Sequence, residues 1–195
     1  MQKRNIKSSR QKKLEKAKPF LFGKNILLSP LTEADISDDY ISWFNDREVC
    51  RDNSHAVFPN TYKKTAAYLK SIENSKTDFV FSIRWKKNKL HIGNVSLQNI
   101  NWVNRSAEIA IIIGNKNYWN KGVGSEAYQL ILDYGFGTLN LNRIASGQTI
   151  TNKGMIKVCK KNGMKREGLL RQVIYKEGKY LDAVIFSILK KEFEK

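Results

Sequence analysis

Runs of apolar residues alternate with stretches of helical spacing along this chain, and together they predict a mixed series of strands and helices. Residues 107–113 are apolar and largely β-branched, as expected of a buried strand. After them, Ala127, Leu130, Ile131 and Tyr134 recur at the three- and four-residue spacing of an amphipathic helix. By the same criteria, further strands are predicted at 25–31, 78–85, 89–98, 142–150, 164–175 and 179–190, and further helices at 32–44, 61–74 and 152–162.

A glycine-bearing turn, residues 118–126, joins that strand to that helix. Its Gly122 and Gly124 accept unusual backbone dihedral angles and let a ligand approach the main chain closely. The amide N–H groups at the start of the helix lie at its positive end, which suits a phosphate group. A pair of glycines is equally typical of a tight turn without a ligand. The strand–turn–helix context and a second motif, residues 152–164, favour the ligand site.

Three stretches of the chain together resemble a known family. They are residues 107–109 with 118–127; residues 139–144 with Asn152 and 161–164; and Glu167-Gly168 with Tyr180 and Asp182. In this order and spacing they are similar to the GNAT superfamily of acyl-CoA-dependent N-acetyltransferases. The resemblance is to the branch that contains the ribosomal-protein alanine N-acetyltransferases and the nucleotide-aminosugar N-acetyltransferases. With residues 43–46, it covers about residues 24–192.

The resemblance implies an α/β (α+β) fold with a mixed, mostly antiparallel central sheet of about six or seven strands, flanked by about four helices. Residues 21–195 would form this GNAT acetyltransferase domain. Residues 1–20 are predicted to be a disordered basic N-terminal arm, because residues 1–18 contain eight Lys or Arg, one Glu and almost no large apolar side chain. The arm would be either a passive tail or a segment that docks on nucleic acid or an acidic membrane.

For the donor, the resemblance implies acetyl-CoA as co-substrate, with its diphosphate held by the backbone N–H groups of residues 121–125. The end of the central strand, residues 112–114, would diverge from its neighbour and hydrogen-bond the pantetheine arm. Asn152 would contact the same arm, and it is equally suited to be a helix N-cap. Trp119 stands where many relatives carry Gln or Arg, so a side-chain contact to the phosphates would be lost. The predicted cofactor-binding residues are Ile112, Ile113, Gly114, Trp119, Asn120, Lys121, Gly122, Val123, Gly124, Ser125 and Asn152.

Two residues are candidates for proton transfer. Glu108 shares a strand face with Ala110 and Ile112, and a carboxylate among apolar neighbours would accept the proton of an attacking amine, directly or through water. The alternatives are a structural carboxylate and a chain of water molecules. Cys159 lies seven residues after Asn152, where relatives commonly have a Tyr that protonates the leaving thiolate. It is either that acid or a small buried apolar residue, in which case the thiolate leaves unassisted.

For the acceptor, the resemblance implies a wall built from the first two helices and the loop between them. The predicted substrate-binding residues are Trp43, Phe44, Asp46 and Arg47, with core packing as the alternative for Trp43 and Phe44. The formal charge of the chain is +17, and a basic surface attracts anions. The predicted acceptor is therefore a small amine such as a nucleotide-linked amino sugar. Two alternatives are the N-terminal amine of a ribosomal protein, with RNA contacts through the basic arm, and a non-catalytic module that binds CoA or RNA.

Composition argues against several other classes of protein. The two cysteines, Cys50 and Cys159, cannot make a disulfide framework, which favours a cytoplasmic enzyme. Two cysteines and two histidines supply no metal-ligand cluster at the usual spacing, so no metal is expected. No apolar run approaches the roughly 20 residues that cross a bilayer. The protein is expected to be a monomer or a homodimer without a membrane span.

Overall fold

A computed structural model describes residues 16–193 of the chain, and within them eight strands form one mixed sheet. Their bounds are Leu21–Phe22 (β1), Ile26–Pro30 (β2), Phe79–Trp85 (β3), His91–Asn101 (β4), Ser106–Ile113 (β5), Arg143–Thr149 (β6), Lys165–Lys176 (β7) and Lys179–Leu189 (β8). The spatial order is β1-β2-β3-β4-β5-β6-β8-β7. Neighbours are antiparallel except for β5 and β6, which are parallel. The predicted fold class is therefore confirmed, with the two-residue strand β1 as an addition at one edge.

Helices cover both faces of this sheet. The α-helices of the described residues are Asp38–Trp43 (α1), Tyr62–Glu73 (α2), Val123–Asp133 (α3), Lys153–Lys161 (α4) and Lys190–Phe193 (α5). Side chains of α3 and α4 pack into one large apolar cluster, and side chains of α1 and α2 pack into a second, smaller one. The strands lie between the two clusters, so the domain has three layers.

The strands supply side chains to both layers because consecutive residues of a strand point to opposite faces. In β3, Phe81 belongs to the large cluster, whereas the preceding Val80 packs against the small one. Ile131 and Leu132 of α3 are fully buried in the large cluster. Burying a side chain of this size stabilises the fold by about 1.5–3 kcal/mol. This two-sided burial explains why the strand patterns are apolar runs rather than strict alternations.

The predicted helix at 32–44 is divided into two parts. Thr32 begins a short 3-10 turn, in which its backbone N–H donates to the Asp35 carboxylate over 3.0 Å. Asp35 also forms a buried ion pair with Arg84 of β3, which ties the turn to the sheet. Ser37 then caps α1, where its side chain accepts a backbone N–H bond over 3.2 Å. A second N-cap so soon after the first ends the turn and begins a new helix.

The strands β7 and β8 form the hairpin predicted at the end of the chain. Its turn residues, Glu177 and Gly178, have φ angles of +48° and +79°. Two consecutive positive φ angles are what a type I′ turn requires, and this turn matches the right-handed twist of the strands. The hairpin brings the end of β7 close to the loop between α1 and α2, a contact described further below.

The predicted basic arm falls mainly outside the described residues, which begin at residue 16. Phe20, the last residue of that arm, belongs to the folded domain. Its backbone N–H donates to the Leu28 carbonyl over 2.7 Å. Its ring lies 6.0 Å from that of Phe81 and 5.4 Å from that of Tyr134. The apolar layer therefore includes Phe20, directly before β1, while the division into an arm and a domain stays a prediction.

Candidate active site

A cleft opens between the two parallel strands of the sheet. β5 and β6 pair only from Ser106 to Glu108 and from Arg143 to Ala145. Beyond that point β5 stays with β4, and β6 stays with β8. Among residues 16–193, the facing backbone edges of 109–113 and 146–149 have no strand partner. Backbone N–H and C=O groups need hydrogen-bond partners, so this cleft suits an extended ligand that carries amide groups.

The glycine-bearing turn lies at the start of α3, beside the open end of the cleft. Asn120 and Gly122 have φ angles of +58° and +78°, and Gly122 is the N-cap of α3 without a side-chain cap. Within residues 16–193, nothing accepts a hydrogen bond from the backbone N–H groups of residues 121–125. A Cβ atom built on Gly122 would meet no described atom within 4 Å. Free amides at the positive end of a helix, next to open space, suit a phosphate.

Trp119 connects the end of β5 to this turn. Its indole N–H donates to the Ile113 carbonyl over 2.7 Å. Because an indole has a single donor, Trp119 cannot also bond a phosphate oxygen in this geometry. Gly114 follows Ile113, and a Cβ atom there would overlap the ring of Trp43. These contacts fix the position of the strand end, while the side of the turn that faces open space at Gly122 consists of backbone.

Two charged residues of the turn are already engaged. Lys121 places its Nζ 5.4 Å from the centre of the Tyr118 ring, a cation–π contact. Glu126, in the first turn of α3, accepts the backbone N–H of Asn25 over 2.7 Å and the Asn25 side-chain amide over 3.1 Å. The Glu126 carboxylate is therefore tied to the turn between β1 and β2. Its place in a first helical turn was visible in the sequence, but its partner, about a hundred residues away, was not.

The second motif packs α4 against α3. Asn152 is the N-cap of α4, and its side chain accepts the Met155 N–H over 3.0 Å, which confirms the capping role. A Cβ atom on Gly124 would lie 3.4 Å from a methyl group of Val158. Gly124 therefore allows the two helices to pack closely. Gly122, in contrast, is next to open space and has a positive φ angle.

Glu108 lies at the vertex of the cleft, where its backbone pairs with Ala145. It is exposed, whereas our prediction surrounded it with apolar side chains. Ala110 and Ile112, which share its strand face, are half-buried. In the described part of the chain the Glu108 carboxylate has no hydrogen-bond or ion-pair partner. The cleft vertex is therefore lined by an unpaired carboxylate.

Cys159 lies on the buried side of α4. It has no exposed surface, and its Sγ lies 3.6 Å from the side-chain oxygen of Gln148. That oxygen also accepts from the Ser146 hydroxyl over 3.1 Å. Burial raises the pKa of the Cys159 thiol to about 11. This placement agrees with the packing alternative for Cys159 and removes the thiol from contact with a ligand.

The predicted acceptor residues divide into buried and exposed ones. Trp43 is 7% exposed and packs on Gly114, and the half-buried Phe44 packs into the smaller cluster. Asp46 forms an ion pair with Lys116 over 2.8 Å, and this contact lowers the pKa of the Asp46 carboxyl. Arg47 is exposed. Asp46 and Arg47 help to line an open depression of about 490 Å³ on the outer side of α1, with Asp38, Ile41, Ser42 and Asn45.

The charge of this region is opposite to that of the whole chain. Residues 33–52 contain seven Asp or Glu and two Arg, a net charge of −5, while the chain carries +17. These residues form the 3-10 turn, α1 and the first part of the following loop. The composition of the whole chain hides this segment, and a charge count along the sequence would have found it.

Neither a metal site nor a membrane helix is found in the part of the chain that the structure describes. No group of three His, Cys, Asp or Glu residues between 16 and 193 is arranged to hold a metal ion. No described helix is long and apolar enough to cross a membrane.

Sequence and structure comparisons relate the chain to known proteins. The sequence model of the family described as Acetyltransferase (GNAT) domain matches residues 25–165. An uncharacterized N-acetyltransferase, p20 of Bacillus licheniformis, is 40% identical over 113 residues, which are 58% of this chain and 63% of that protein. The spermidine N(1)-acetyltransferase of Escherichia coli strain K12 is 35% identical over 101 residues, 52% of this chain and 54% of that enzyme. The matches thus span between about half and two thirds of the length of these relatives.

A solved structure extends the likeness to the fold as a whole. The spermidine N-acetyltransferase from Vibrio cholerae, crystallised in complex with CoA and spermine, superimposes with a TM-score of 0.80. The superposition covers 88% of this chain and 99% of that one, at 23% identity. At this identity the likeness establishes the fold. Because the family model matches most of the domain, this chain belongs to the GNAT family of acetyltransferases.

Proposed function

We propose that this chain is an acetyl-CoA-dependent N-acetyltransferase that transfers the acetyl group directly to a small, cationic primary amine of the polyamine class. The observation that carries the acceptor assignment is the acidic segment 33–52, with a net charge of −5 in a chain of +17. The donor assignment rests on the cleft between β5 and β6 and on the free amides at the start of α3.

The donor side fits acetyl-CoA in two places. The free amides of residues 121–125 hold the diphosphate, as the open space over Gly122 supports. The unpaired backbone edges of the cleft, with residues 112–114 on one side, hold the pantetheine arm, whose amides can replace the missing strand partner. Asn152 follows the end of β6 by three residues, as the N-cap of α4, and contacts the same arm. The group brought by acetyl-CoA is an activated thioester, which a neutral amine can attack.

The next step is proton transfer from the attacking amine. The amine must lose a proton to react, and Glu108, unpaired and exposed at the cleft vertex, accepts it directly or through water. Cys159 takes no part, because a fully buried thiol with a pKa of about 11 is a poor proton donor to a thiolate. The thiolate of CoA therefore leaves without a protein acid.

The acceptor side favours a cation. Asp38 and Asp39 are exposed in the first turn of α1, and Asp46 and Glu48 follow in the loop, where the two share one cation, Lys116. A surface that carries one sign of charge attracts ligands of the opposite sign and repels those of its own. A nucleotide-linked amino sugar would bring a diphosphate to this segment, so the polyamine class replaces it as our preferred acceptor. The similarity to two spermidine N-acetyltransferases supports the same choice.

A panel of acceptors tests the proposal. Thiol release from acetyl-CoA is measured with spermidine, a diamine, a nucleotide-linked amino sugar and a peptide that carries the N-terminus of a ribosomal protein. We expect the highest kcat/KM with the polyamines and a decrease of that value as salt concentration rises, because salt screens exposed charges. A higher kcat/KM with the sugar or the peptide would overturn the acceptor assignment. Binding of CoA without turnover of any amine would instead indicate a non-catalytic module.

A further inference from the structure

Three polar contacts join the loop between α1 and α2 to the ends of β5, β6 and β7. We call residues 46–59 the bridging loop. Its two ends are joined by Asn45 and Asn60: the Asn45 side-chain amide donates to the Asn60 carbonyl over 2.9 Å, and the Asn60 N–H donates to the Asn45 side-chain oxygen over 2.8 Å. The loop is therefore closed at its base, where Lys64 of α2 also donates to the Pro59 carbonyl over 2.9 Å, and three further polar contacts join it to the strands of the sheet.

The first contact lies at the end of β5. Lys116 follows this strand by three residues, and its Nζ lies 2.8 Å from the Asp46 carboxylate and 2.6 Å from the Glu48 carboxylate. These side chains are between 34% and 56% exposed. An ion pair this exposed contributes little by itself, but it places the start of the bridging loop over the β5 side of the cleft.

The second contact lies at the end of β6. The Asp52 carboxylate accepts from the Thr149 hydroxyl over 3.1 Å and from the Thr151 hydroxyl over 3.0 Å. The Asp52 side chain is only 15% exposed, and Thr149 is fully buried. Hydrogen bonds to a charged acceptor are stronger than neutral ones. Thr151 directly precedes Asn152, the N-cap of α4.

The third contact comes from the terminal hairpin. The Nζ of Lys176, at the end of β7, donates to the Cys50 carbonyl and, over 2.6 Å, to the Asn53 carbonyl. These two carbonyls flank Asp52 in the chain. Lys176 therefore holds the backbone on both sides of the residue that bonds to β6, and so keeps the Asp52 side chain directed at the two threonines.

The three contacts together place the loop across the cleft. β5 and β6 are parallel, so their carboxyl ends lie at the same edge of the sheet, and beyond Glu108 and Ala145 they diverge. The bridging loop is bound to the β5 side through Lys116 and to the β6 side through Asp52. It therefore spans the open end of the cleft, and its first half belongs to the acidic segment.

From this arrangement we propose that Asp52 is a positioning residue, which holds the bridging loop on the β6–α4 junction and so sets the acceptor against the donor. The inference rests on the proposed function, because it takes the bridging loop as part of the acceptor wall. Asp52 touches neither substrate in this scheme. Loss of its contacts with Thr149 and Thr151 would free one side of the loop and disturb the alignment of the amine, to which transfer rates are very sensitive.

Four variants test this role. The double variant Thr149→Val/Thr151→Val removes both hydroxyl donors and leaves the loop sequence unchanged, and Asp52→Ala removes the acceptor. Lys176→Met removes the cation but keeps an unbranched apolar side chain. Lys176→Arg keeps a cation with donors for the Cys50 and Asn53 carbonyls. Lys179→Met, an exposed lysine of the same hairpin, and Thr138→Val, an exposed threonine on the turn after α3, are the matched controls.

We expect the double variant and Asp52→Ala to lose about tenfold or more in kcat/KM for spermidine, while the Kd for acetyl-CoA by calorimetry stays within about twofold. Lys176→Met should lose less of its kcat/KM for spermidine, and Lys176→Arg should have a kcat/KM close to the original. Both controls should have the kcat/KM of the unmodified protein. Thermal unfolding of each variant shows that the fold is intact. An unchanged kcat/KM for spermidine in the double variant, or a proportional loss of acetyl-CoA affinity, would overturn the positioning role.

A second readout does not require activity. Trypsin can cut the bridging loop after Arg47 and Arg51, and mass spectrometry follows the rate of these two cuts. The double variant should be cut several times faster than the unmodified protein and the Thr138→Val control. Equal rates would show that the threonines do not hold the loop. If no amine is turned over by the unmodified protein, the proposed function fails, and this cleavage rate still decides whether Asp52 anchors the loop.

Discussion

Gly114, Gly122 and Gly124 lie close together in the chain, and each is glycine for a different physical reason. At 114 the ring of Trp43 occupies the space of a Cβ atom, and at 124 the helix α4 is within contact distance. At 122 the space is open, and the φ angle of +78° is the constraint. Among the three, Gly122 is therefore the position where a new side chain would enter the proposed phosphate site without disturbing the core.

Gly122→Asp should raise the KM for acetyl-CoA about tenfold or more, because a carboxylate would lie beside the diphosphate. Gly122→Asn is the matched control, since Asn has the same shape without the charge and tolerates positive φ. Its KM should change much less, and the kcat of both variants should be similar to the original. Initial rates and calorimetry with CoA measure these values. Equal KM values for the two variants would contradict a phosphate site at this turn.

Cys159→Ala tests the packing role of the thiol. Removal of the buried sulfur should lower the free energy of unfolding by about 1–2 kcal/mol, because packing is lost and Gln148 loses a donor. The kcat should stay within about twofold. Urea unfolding and steady-state rates measure the two effects. A large loss of kcat in a protein that is still folded would return Cys159 to the list of proton donors.

At the scale of an element, α1 and the turns around it combine packing with charge. The inner side of α1 buries Tyr40 and Trp43, while its first turn exposes Asp38 and Asp39. Unlike Asp46, these two aspartates form no ion pair within residues 16–193. Their charges are therefore fully available to an incoming cation.

The double variant Asp38→Asn/Asp39→Asn should raise the KM for spermidine several-fold at low salt, with little change at high salt, because screening already weakens exposed charges there. The KM for acetyl-CoA should not change. Glu73→Gln, at the exposed end of α2, is the control for the loss of an exposed carboxylate elsewhere on the surface; it removes one negative charge where the double variant removes two. If the double variant and this control had the same KM for spermidine at low salt, the acidic segment would not select the acceptor.

At the scale of the whole molecule, the two layers meet at His91 of β4. Its ring stacks on Tyr40 at 5.3 Å and lies 5.0 Å from the ring of Trp43. Its Nε2 bonds the Asn94 side-chain oxygen over 2.8 Å. Burial, the largest cause, lowers the pKa of His91 in the folded state. Protonation at this position would place a charge between the sheet and α1.

Stability should therefore depend on pH below neutrality. The unfolded chain takes up a proton at His91 near pH 6.5, and the folded chain resists it, so acidification favours unfolding. Between about pH 6.5 and the lowered folded pKa, the loss approaches about 1.4 kcal/mol per pH unit. Urea unfolding at pH 7, 6 and 5.5 should show this slope, and His91→Gln should reduce it. The variant His55→Gln, measured under the same conditions, gives the contribution of the other histidine to the pH dependence of stability. An unreduced slope in His91→Gln would assign the dependence to other groups.

Local patterns were sufficient for most elements and for the backbone part of the candidate site. The turn at 118–126, the N-cap at Asn152 and the hairpin turn at Glu177 are short-range features, and the structure has all three. The helix predicted at 32–44 was wrong in its continuity, because a second N-cap, Ser37, follows a 3-10 turn that the Asp35–Arg84 ion pair ties to a distant strand. An apolar pattern does not contain that contact.

Thus the sequence by itself determined the order of strands and helices, the family and the place of the glycine turn, since these depend on interactions between residues a few positions apart. Only the tertiary structure decided where β5 and β6 separate, that Cys159 is buried, and that Glu126 and Asp52 are bound by partners about a hundred residues away. The physical reason is that strand pairing and side-chain packing join segments far apart in the chain, and such contacts leave no periodic pattern in the local sequence. The acidic segment lies between these cases: its charge was readable in the sequence, but its place beside the cleft depends on the folded loop.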